Sequence, residues 1–462
     1  MAHAPFSVVT HFTASATVLT RLLSQDRPGP AHPARTRERL AEVGGRRAER
    51  RPGGRDVPIG ASGGSAANEV AAHTGVLAEP PYSPVRSAWR SAALRRDAVR
   101  IGLVAPTMAI LGGHAVQAAR LLDGWRDDPE IQMRLLPINP PPPRGLRWVS
   151  RLRVVRTVVT QLRYWPSLLR SVRHVDVLHV FCTSNGSFFL SALPAILVAR
   201  MYGKPVVANY RGDSQVHLAS SPIARRLLGS VAANVVPSAY FGRIFRELGV
   251  PARIVPNVAD VARFRFRVRD PFRPVLLSTR NFEPIYDVAC TLRAFAVVQA
   301  AYADASLVLV GSGRDAGALR ALARALGLRN VTFAGRVPHA AIPCFYDAAD
   351  IYVQTPVVDN MPGSVIEAFA SGLPVVATDV GGLPVILTHG MHGLLAPAGD
   401  HGAVAEQVLA LLARPDEARR MAAAAFATCP RYAWSGVREQ WRAVYRSVLS
   451  GRSAPGTAGR IA

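Results

Sequence analysis

Short apolar blocks alternate with amphipathic stretches from residue 99 onward, and this pattern predicts strands and helices in succession. The first block, at 99–105, predicts a buried strand, and a glycine-containing loop and a helix from about Ala115 follow it. A strand, a glycine loop and a helix in this order form the first unit of a Rossmann-like domain. Further strands are predicted at 131–138, 175–182, 205–210, 233–237 and 253–256.

A second series of the same kind begins after a connecting segment at about 257–271. Strands that alternate with helices imply parallel sheets joined by right-handed crossovers. The sequence therefore predicts an α/β protein with two Rossmann-like domains, at 99–262 and 272–430, and then a C-terminal helix and tail at 431–462. The predicted strands of the second series are 274–279, 306–311, 331–334, 351–355, 374–378 and 393–396, and its predicted helices lie near 287–301, 314–326, 339–348 and 362–371.

Residues 1–98 lack this pattern. They are rich in Arg, Ala, Gly and Pro, and arginine pairs occur at 46–47 and 50–51. Because such a composition offers few periodic apolar positions from which to build a core, it predicts a disordered or weakly ordered extension.

The composition suits a globular enzyme of two or three domains, because 49% of the 462 residues are hydrophobic and 19% are charged. The longest apolar stretch, 187–199, is interrupted by Pro194 and is too short to cross a bilayer. The first 23 residues lack the basic start and long apolar core of a secretory signal. A cytoplasmic location is therefore predicted. The cysteines form no cluster that predicts a zinc site or a disulfide framework: Cys182, Cys290, Cys344 and Cys429.

The formal net charge is +24 at pH 7, and arginine supplies almost all of the positive charge because Lys204 is the only lysine. We attribute this ratio to coding composition more than to a need for guanidinium at each position. The basic excess still favours polyanions and acidic surfaces. No zinc finger, recognition-helix pattern or aromatic RNA motif accompanies the charge, so no nucleic-acid partner is predicted.

The most informative segment is 359–400, which places two acids around the start of a predicted helix. The backbone N–H groups of Gly363, Ser364 and Val365 point out of that helix start, where the helix dipole favours a phosphate. Glu367 has only acceptor oxygens and suits paired hydroxyls such as those of a ribose. Asp359 lies eight positions before Glu367. In isolation, this pair would indicate only a helix cap and a solvated acid.

Together with the surrounding GSVIEAFASGLPVVATDVGG, the two acids resemble the acid-x7-acid signature of the retaining GT-B glycosyltransferases, in particular family 4. The resemblance covers about 99–449 and implies the GT-B fold, in which two Rossmann-like domains face each other across a cleft and the last helices pack back across both. It also implies that Asp359 faces the donor sugar and that Glu367 binds the ribose. The family usually has glutamate at both positions, and aspartate is one methylene shorter.

The family also clamps the donor diphosphate with an arginine after the first strand of this domain and a lysine a few residues later. Arg280 matches the arginine, whereas the lysine is absent and Tyr286 offers a neutral hydrogen bond instead. We therefore predict Asp359 and Arg280 as catalytic residues, with a surface salt bridge as the alternative role of Arg280. By the same resemblance, Gly311 forms a wall of the nucleotide pocket and Val337 lies beside the base.

In the first domain, Gly112 and Gly113 resemble the family's glycine loop that reaches the donor phosphate or sugar, although an ordinary tight turn could have the same sequence. Many relatives carry a histidine where this chain has Arg211. Arg211 can donate to a sugar hydroxyl or an acidic acceptor, but it stays charged and cannot shuttle a proton. Neither His114 nor His217 is assigned a role.

The segment 131–175 contains nine arginines and no acid. An amphipathic helix is predicted within it, and Pro166 should break or kink that helix. One hypothesis is that the helix lies on an anionic membrane at the inner face of the plasma membrane, near a lipid-linked acceptor. The other is that it packs on the core and exposes a basic face. Its predicted apolar face consists of Trp148, Leu152, Val155, Val159 and Leu162.

The sequence therefore predicts a retaining, metal-independent glycosyltransferase that moves a sugar from a nucleotide-diphosphate donor to a glycan or lipid-linked acceptor. No D-x-D metal motif is present, so Arg280 and the helix-start N–H groups must neutralise the diphosphate, and no cofactor is expected. Two alternatives stay open: a non-catalytic protein that binds nucleotide sugars, and a sugar-nucleotide epimerase on the same fold.

Overall fold

The computed structural model describes residues 98–108, 113–140, 153–183, 185–211, 218 and 220–451. The extension predicted at 1–98 therefore lies outside the described residues, except for Ala98. Six parallel strands form the first sheet, in the order β2-β1-β3-β4-β5-β6. They are β1 (Val99–Ala105), β2 (Ile131–Pro137), β3 (Val177–Cys182), β4 (Val206–Tyr210), β5 (Ala233–Val236) and β6 (Arg253–Ile254).

Helices connect these strands, and serine side chains start two of them. Ser221 accepts the N–H of Ala224, and Ser238 accepts the N–H of Phe241, so each satisfies a backbone donor at a helix start. A helical turn and one π-helical turn (Phe188–Ala192) precede α3. The helices of the first domain are α1 (Gly113–Gly124), α2 (Arg153–Val172), α3 (Leu193–Met201), α4 (Pro222–Leu228) and α5 (Ala239–Glu247).

The second sheet also has six parallel strands, in the order β12-β11-β10-β7-β8-β9. They are β7 (Val275–Ser278), β8 (Ser306–Val310), β9 (Val331–Gly335), β10 (Ile351–Gln354), β11 (Val375–Thr378) and β12 (Leu394–Ala396). The helices of this part are α6 (Val288–Ala301), α7 (Ala316–Ala325), α8 (Ile342–Ala348), α9 (Gly363–Ala370), α10 (Leu383–Ile386), α11 (His401–Ala413), α12 (Pro415–Ala427) and α13 (Trp434–Leu449).

The predicted architecture of two parallel α/β sheets is confirmed. Every predicted strand is present within two residues of its predicted bounds. Strands β3, β4, β10 and β11 are buried along their whole length, because helices cover both faces of each sheet. This burial is why the strands are continuous apolar runs in the sequence and could be recognised there.

Helix α13 packs against the first sheet although it follows the second domain in the sequence. Its buried apolar residues belong to the same core cluster as residues of β1, β3 and α1. On its polar side, Arg442 lies 2.6 Å from Asp128, measured from Nη2 to Oδ2. The chain therefore returns to the first domain. The buried residues of α13 are Val437, Trp441, Val444 and Tyr445.

Pro166 does not break the helix, because α2 runs through it from 153 to 172, and the alternative of a kink stays a prediction. A proline inside a helix removes the N–H that would bond the carbonyl of the residue four positions earlier, here Leu162. Leu162 itself is 69% exposed, so this turn of the helix faces solvent.

Among the helices of the described ranges, none has both the length and the apolar character that a membrane span requires. The four cysteines are all free, and only Cys344 is exposed.

A buried histidine joins α13 to the first sheet. His179 of β3 has its Nδ1 atom 2.8 Å from the hydroxyl of Tyr445 and its Nε2 atom 3.2 Å from the side-chain nitrogen of Asn209. Its ring also lies 4.6 Å from that of Trp441. Burial, together with the charge of Arg211, lowers the pKa of His179 from 6.5 to about 3. The imidazole is therefore neutral in the folded protein.

This histidine should make stability depend on pH. Because its folded pKa is depressed, the unfolded chain binds a proton that the folded protein excludes once the pH falls below about 6.5. The neutral His179 thus contributes its full stabilisation above pH 6.5. Below that pH, the free energy of unfolding falls by about 1.4 kcal/mol per pH unit. We expect the His179→Gln variant to show a shallower decline in unfolding free energy between pH 6 and pH 4, measured by urea denaturation. The exposed His174→Gln variant is the control for histidine removal, and equal slopes for wild type and His179→Gln would contradict the prediction.

Candidate active site

The order of the second sheet creates a crevice at one point of its carboxyl edge. Strand β7 pairs with β8 on one side and with β10 on the other, so the chain reverses its direction of progress across the sheet beside β7. Open α/β sheets bind ligands where such a reversal separates the loops at the strand ends. The loop after β7 carries Arg280, and the segment after β10 carries Asp359 and leads into α9.

Arg280 connects these two segments. Its Nη2 atom lies 2.5 Å from Asp359 Oδ2, and its Nη1 atom donates to the hydroxyl of Ser364 at 3.2 Å. The guanidinium also lies over the ring of Tyr286, 4.0 Å from its centre. Burial alone would lower the pKa of Arg280, but the charge of Asp359 outweighs it and the pKa is raised. Arg280 is therefore a permanent cation at the crevice.

Two glycines hold Asp359 in place. The backbone N–H of Gly382 donates to the carbonyl of Asp359 at 2.9 Å. A Cβ atom at Gly381 would lie 2.0 Å from the carbonyl oxygen of Asp359, and one at Gly382 would lie 1.7 Å from that of Asn360. Any side chain at these positions would displace the acid, which explains why two glycines follow β11.

Gly311 has a similar relation to Arg280. A Cβ atom at Gly311 would lie 2.1 Å from the carbonyl oxygen of Arg280, and one at Gly313 would lie 2.2 Å from that of Phe282. The N–H of Phe282 also donates to the carbonyl of Ser312 at 3.1 Å. The predicted role of Gly311 as a pocket wall stays a prediction, and the geometry gives it a second role as the support of the Arg280 loop.

The start of α9 offers fewer donors than predicted. The N–H of Val365 donates to the carbonyl of Pro362 at 3.3 Å, so the expectation that it points freely out of the helix was wrong. A tightened first turn of this kind satisfies one of the orphan donors of a helix start. Gly363 and Ser364 remain as the first two residues of the helix. The hydroxyl of Ser364 also donates to Gln354 Oε1 at 3.2 Å.

Glu367 is held by residues that sequence analysis did not identify. Its Oε2 atom lies 3.2 Å from the hydroxyl of Tyr346, and its Oε1 atom lies 3.3 Å from Nη2 of Arg120 in α1. Burial raises the pKa of Glu367, and the cation of Arg120 opposes that rise. Arg120 is 247 positions away in the sequence, so no local pattern could have indicated this contact.

In the first domain, the side chain of Arg211 is buried and bonds another residue of the chain. It follows β4, is 8% exposed, and its Nη2 atom donates to Asn257 Oδ1 at 2.5 Å. Burial lowers the pKa of Arg211 to about 9. His114 Nε2 lies 2.9 Å from the carbonyl of Arg211, and burial lowers the pKa of His114 to about 4, so that its ring is neutral at pH 7. Asn257 in turn donates to the carbonyl of Met361, just before α9.

The remaining predicted residues lie at the edges of this arrangement. Gly112 falls outside the described residues, and Gly113 is the first residue of α1. Val337 is half-buried and packs against the apolar cluster beneath α9. In the described part of the chain, no three His, Cys, Asp or Glu side chains are grouped so that they could hold a metal ion. The crevice thus combines a fixed cation, a helix start and two carboxylates.

Three comparisons relate this chain to known proteins. The family model described as Glycosyl transferases group 1 matches residues 273–414. The phosphatidyl-myo-inositol mannosyltransferase of Mycobacterium leprae is 27% identical over 379 residues, which cover 77% of this chain and 98% of that protein. The GDP-mannose-dependent alpha-(1-6)-phosphatidylinositol monomannoside mannosyltransferase of Mycobacterium tuberculosis is 27% identical over 300 residues, which cover 59% of this chain and 77% of that protein.

Among solved structures, HepE of Anabaena in complex with UDP and glucose superposes with a TM-score of 0.60 at 17% identity, covering 76% of this chain and all of that chain. This likeness extends across both sheets and shows the GT-B fold. The segment matched by the family model contains Arg280, Asp359 and Glu367, the three residues that the fold brings to the crevice. The match to the group 1 model, the mannosyltransferase relatives and the GT-B fold together support a glycosyltransferase of the family 4 type.

Proposed function

We propose that this glycosyltransferase moves a hexose from a nucleotide-diphosphate sugar to a lipid-linked or glycan acceptor, with retention of configuration and without a metal ion. The convergence of Arg280, Ser364 and Glu367 on the start of α9 carries the proposal. A diphosphate at this helix start would accept hydrogen bonds from backbone N–H groups and face the Arg280 cation. The ribose hydroxyls would donate to Glu367, which has lone pairs left after its contacts with Tyr346 and Arg120.

Charge development explains why the diphosphate must be held here. When the bond between the sugar and the diphosphate breaks, negative charge builds on the departing phosphate oxygen. A permanent cation and oriented N–H groups that are already in place stabilise this charge without reorganising. Asp359 would lie on the sugar side of the diphosphate, because Arg280 separates it from the hydroxyl of Ser364.

Relatives suggest the donor and the acceptor. The names of the two mycobacterial proteins specify mannosyl transfer to phosphatidylinositol lipids, and one of them specifies GDP-mannose. We infer that GDP-mannose is the donor and an inositol phospholipid is the acceptor. A panel of nucleotides and sugars tests this inference directly.

The exposed side of α2 supports a membrane-bound acceptor. Tyr164, Leu168 and Val172 hold the helix to the core. Towards its start, apolar side chains face outward beside the exposed arginines Arg156 and Arg163. An apolar strip flanked by arginines suits the boundary of an anionic bilayer. The exposed apolar residues are Val154, Val155, Val158, Leu162 and Trp165. We therefore propose peripheral attachment through α2, at the cytoplasmic face of the membrane.

Nucleotide binding can be measured first, by thermal and chemical unfolding with GDP, UDP, ADP and dTDP in turn. A nucleotide at about 100 times its dissociation constant should raise the unfolding free energy by roughly 2.7 kcal/mol. We expect GDP to do so and the Glu367→Gln variant to lose most of the effect, because an amide is a weaker acceptor for the ribose hydroxyls. Glu406→Gln makes the same change at an exposed position of α11 and should behave as wild type. An unchanged response in Glu367→Gln would place the ribose elsewhere.

Catalysis can be separated from binding at Asp359. We expect Asp359→Asn to lower the rate of mannosyl transfer by about 100-fold or more while GDP still binds, because Asp359 is proposed to face the reacting sugar and Arg280 keeps its charge. Asp304→Asn, at an exposed position between α6 and β8, is the matched control.

Transfer should persist in EDTA, and NMR of the product should show the anomeric configuration of the donor. Binding of GDP-mannose without transfer would indicate a non-catalytic protein, and product formed without an acceptor would indicate an epimerase.

Membrane attachment can be measured by co-sedimentation with vesicles that contain phosphatidylglycerol, at low salt. We expect Val154→Ser combined with Val158→Ser to reduce vesicle binding by about 100-fold, because burial of each apolar side chain of this size is worth roughly 1.5 kcal/mol or more. Val297→Ser, at an exposed position of α6, is the matched control. Equal binding by all three proteins would exclude α2 as the attachment surface.

A further inference from the structure

Arg120 is a cation that the first domain places at the crevice of the second. It lies in α1, and its Nη2 atom is 3.3 Å from Glu367 Oε1. Its Nη1 atom donates to the carbonyl of Val258 at 2.9 Å and lies 3.9 Å from the position that a Cβ atom at Gly363 would occupy. The guanidinium therefore reaches the first residue of α9, where the proposed function places the diphosphate.

This position is well fixed. The neighbouring Gln117 exchanges two hydrogen bonds with the backbone of Val258, at 2.7 and 3.0 Å. The side chain of Arg120 is only 11% exposed. Its Nε atom is buried and has no partner among the described residues. A guanidinium has five donors in a planar fork that matches phosphate, and the contacts with Val258 and Glu367 use one donor on each Nη atom, so each Nη atom keeps a further N–H for an anion.

The charges at the crevice show why a second cation is needed. Arg280 is already paired with Asp359, so these two groups together are neutral. With Glu367 ionised, the three groups Arg280, Asp359 and Glu367 together carry a net charge of −1. The loop after Arg280, residues 281–287, contains no lysine or arginine. Arg120 brings the sum of these groups to zero, and Arg263 is a further cation that acts on Glu367.

We propose that Arg120 is a diphosphate-binding residue supplied by the first domain, so that the donor site is complete only when both domains contribute to it. This inference rests on the proposed function. In this arrangement the ribose hydroxyls donate to Glu367, and the guanidinium of Arg120 donates to a diphosphate oxygen at the start of α9. Recognition of the donor is thereby coupled to the contact between the domains.

The test uses the whole chain and compares ligands that carry no, one or two phosphates. Isothermal titration calorimetry would compare guanosine, GMP and GDP on wild type, Arg120→Gln and Arg120→Lys. We expect Arg120→Gln to weaken GDP binding by roughly 10- to 100-fold, as for the loss of one charge-assisted hydrogen bond, and to change guanosine binding by less than about threefold. Arg120→Lys, which keeps the charge, should recover part of the GDP affinity. Arg126→Gln, at an exposed arginine that follows α1, should bind all three ligands as wild type does.

Two results would overturn the proposal. An equal loss for guanosine and GDP would mean that Arg120 only positions Glu367 or holds the domains together. Tighter GDP binding by Arg120→Gln would mean that Arg120 competes with the donor. If the wild type binds UDP or another nucleotide diphosphate in place of GDP, the same comparison is made with that nucleotide and its nucleoside. If the wild type binds no nucleotide diphosphate, the proposed function itself is refuted. Unfolding of Arg120→Gln without ligand separates a folding defect from a binding defect, and Arg120→Lys provides the second variant.

Discussion

The ion pair between Arg280 and Asp359 is the interaction on which the candidate site depends. It joins the loop after β7 to the segment before α9, and these are the two borders of the crevice. Neither partner could adopt its position without close backbone packing behind it, since Gly311 lies against the carbonyl of Arg280 and Gly381 against that of Asp359. The glycines, the pair and the helix start are therefore one unit. A substitution at either glycine would move a charged group even though glycine itself contacts no substrate.

The connection between the domains also converges on this unit. Val258, in the segment that leaves the first domain, is bonded to Gln117 and Arg120 of α1. Asn257 bonds both Arg211 after β4 and Met361 before α9. The contacts of the linker thus reach the same helix start from the opposite side. Motion of one domain relative to the other would therefore shift the residues that are proposed to hold the donor.

Sequence patterns predicted the strands because parallel strands that are buried on both faces become continuous apolar runs. They also selected Arg280, Asp359 and Glu367, which the structure places at the same crevice, while their functional roles stay predictions. They failed at two local details and at the contacts between distant segments. Helix α2 continues through Pro166, and the N–H of Val365 bonds the carbonyl of Pro362 within one tightened turn. The contacts of Arg120 and Tyr346 with Glu367 follow from tertiary packing alone, so no spacing in the sequence could indicate them.

The contacts of Arg280 and Arg120 at the crevice bear on how the arginine-rich composition should be interpreted. Coding composition accounts for the overall excess, but the crevice uses properties that lysine lacks. Arg280 bonds two different oxygens, on Asp359 and Ser364, while its plane stacks on the ring of Tyr286. A lysine ammonium is a point charge and cannot combine these three contacts. Arg120 likewise bridges a carboxylate and a backbone carbonyl on two separate segments. The contacts of Arg280 and Arg120 at the crevice therefore depend on guanidinium geometry as well as on charge.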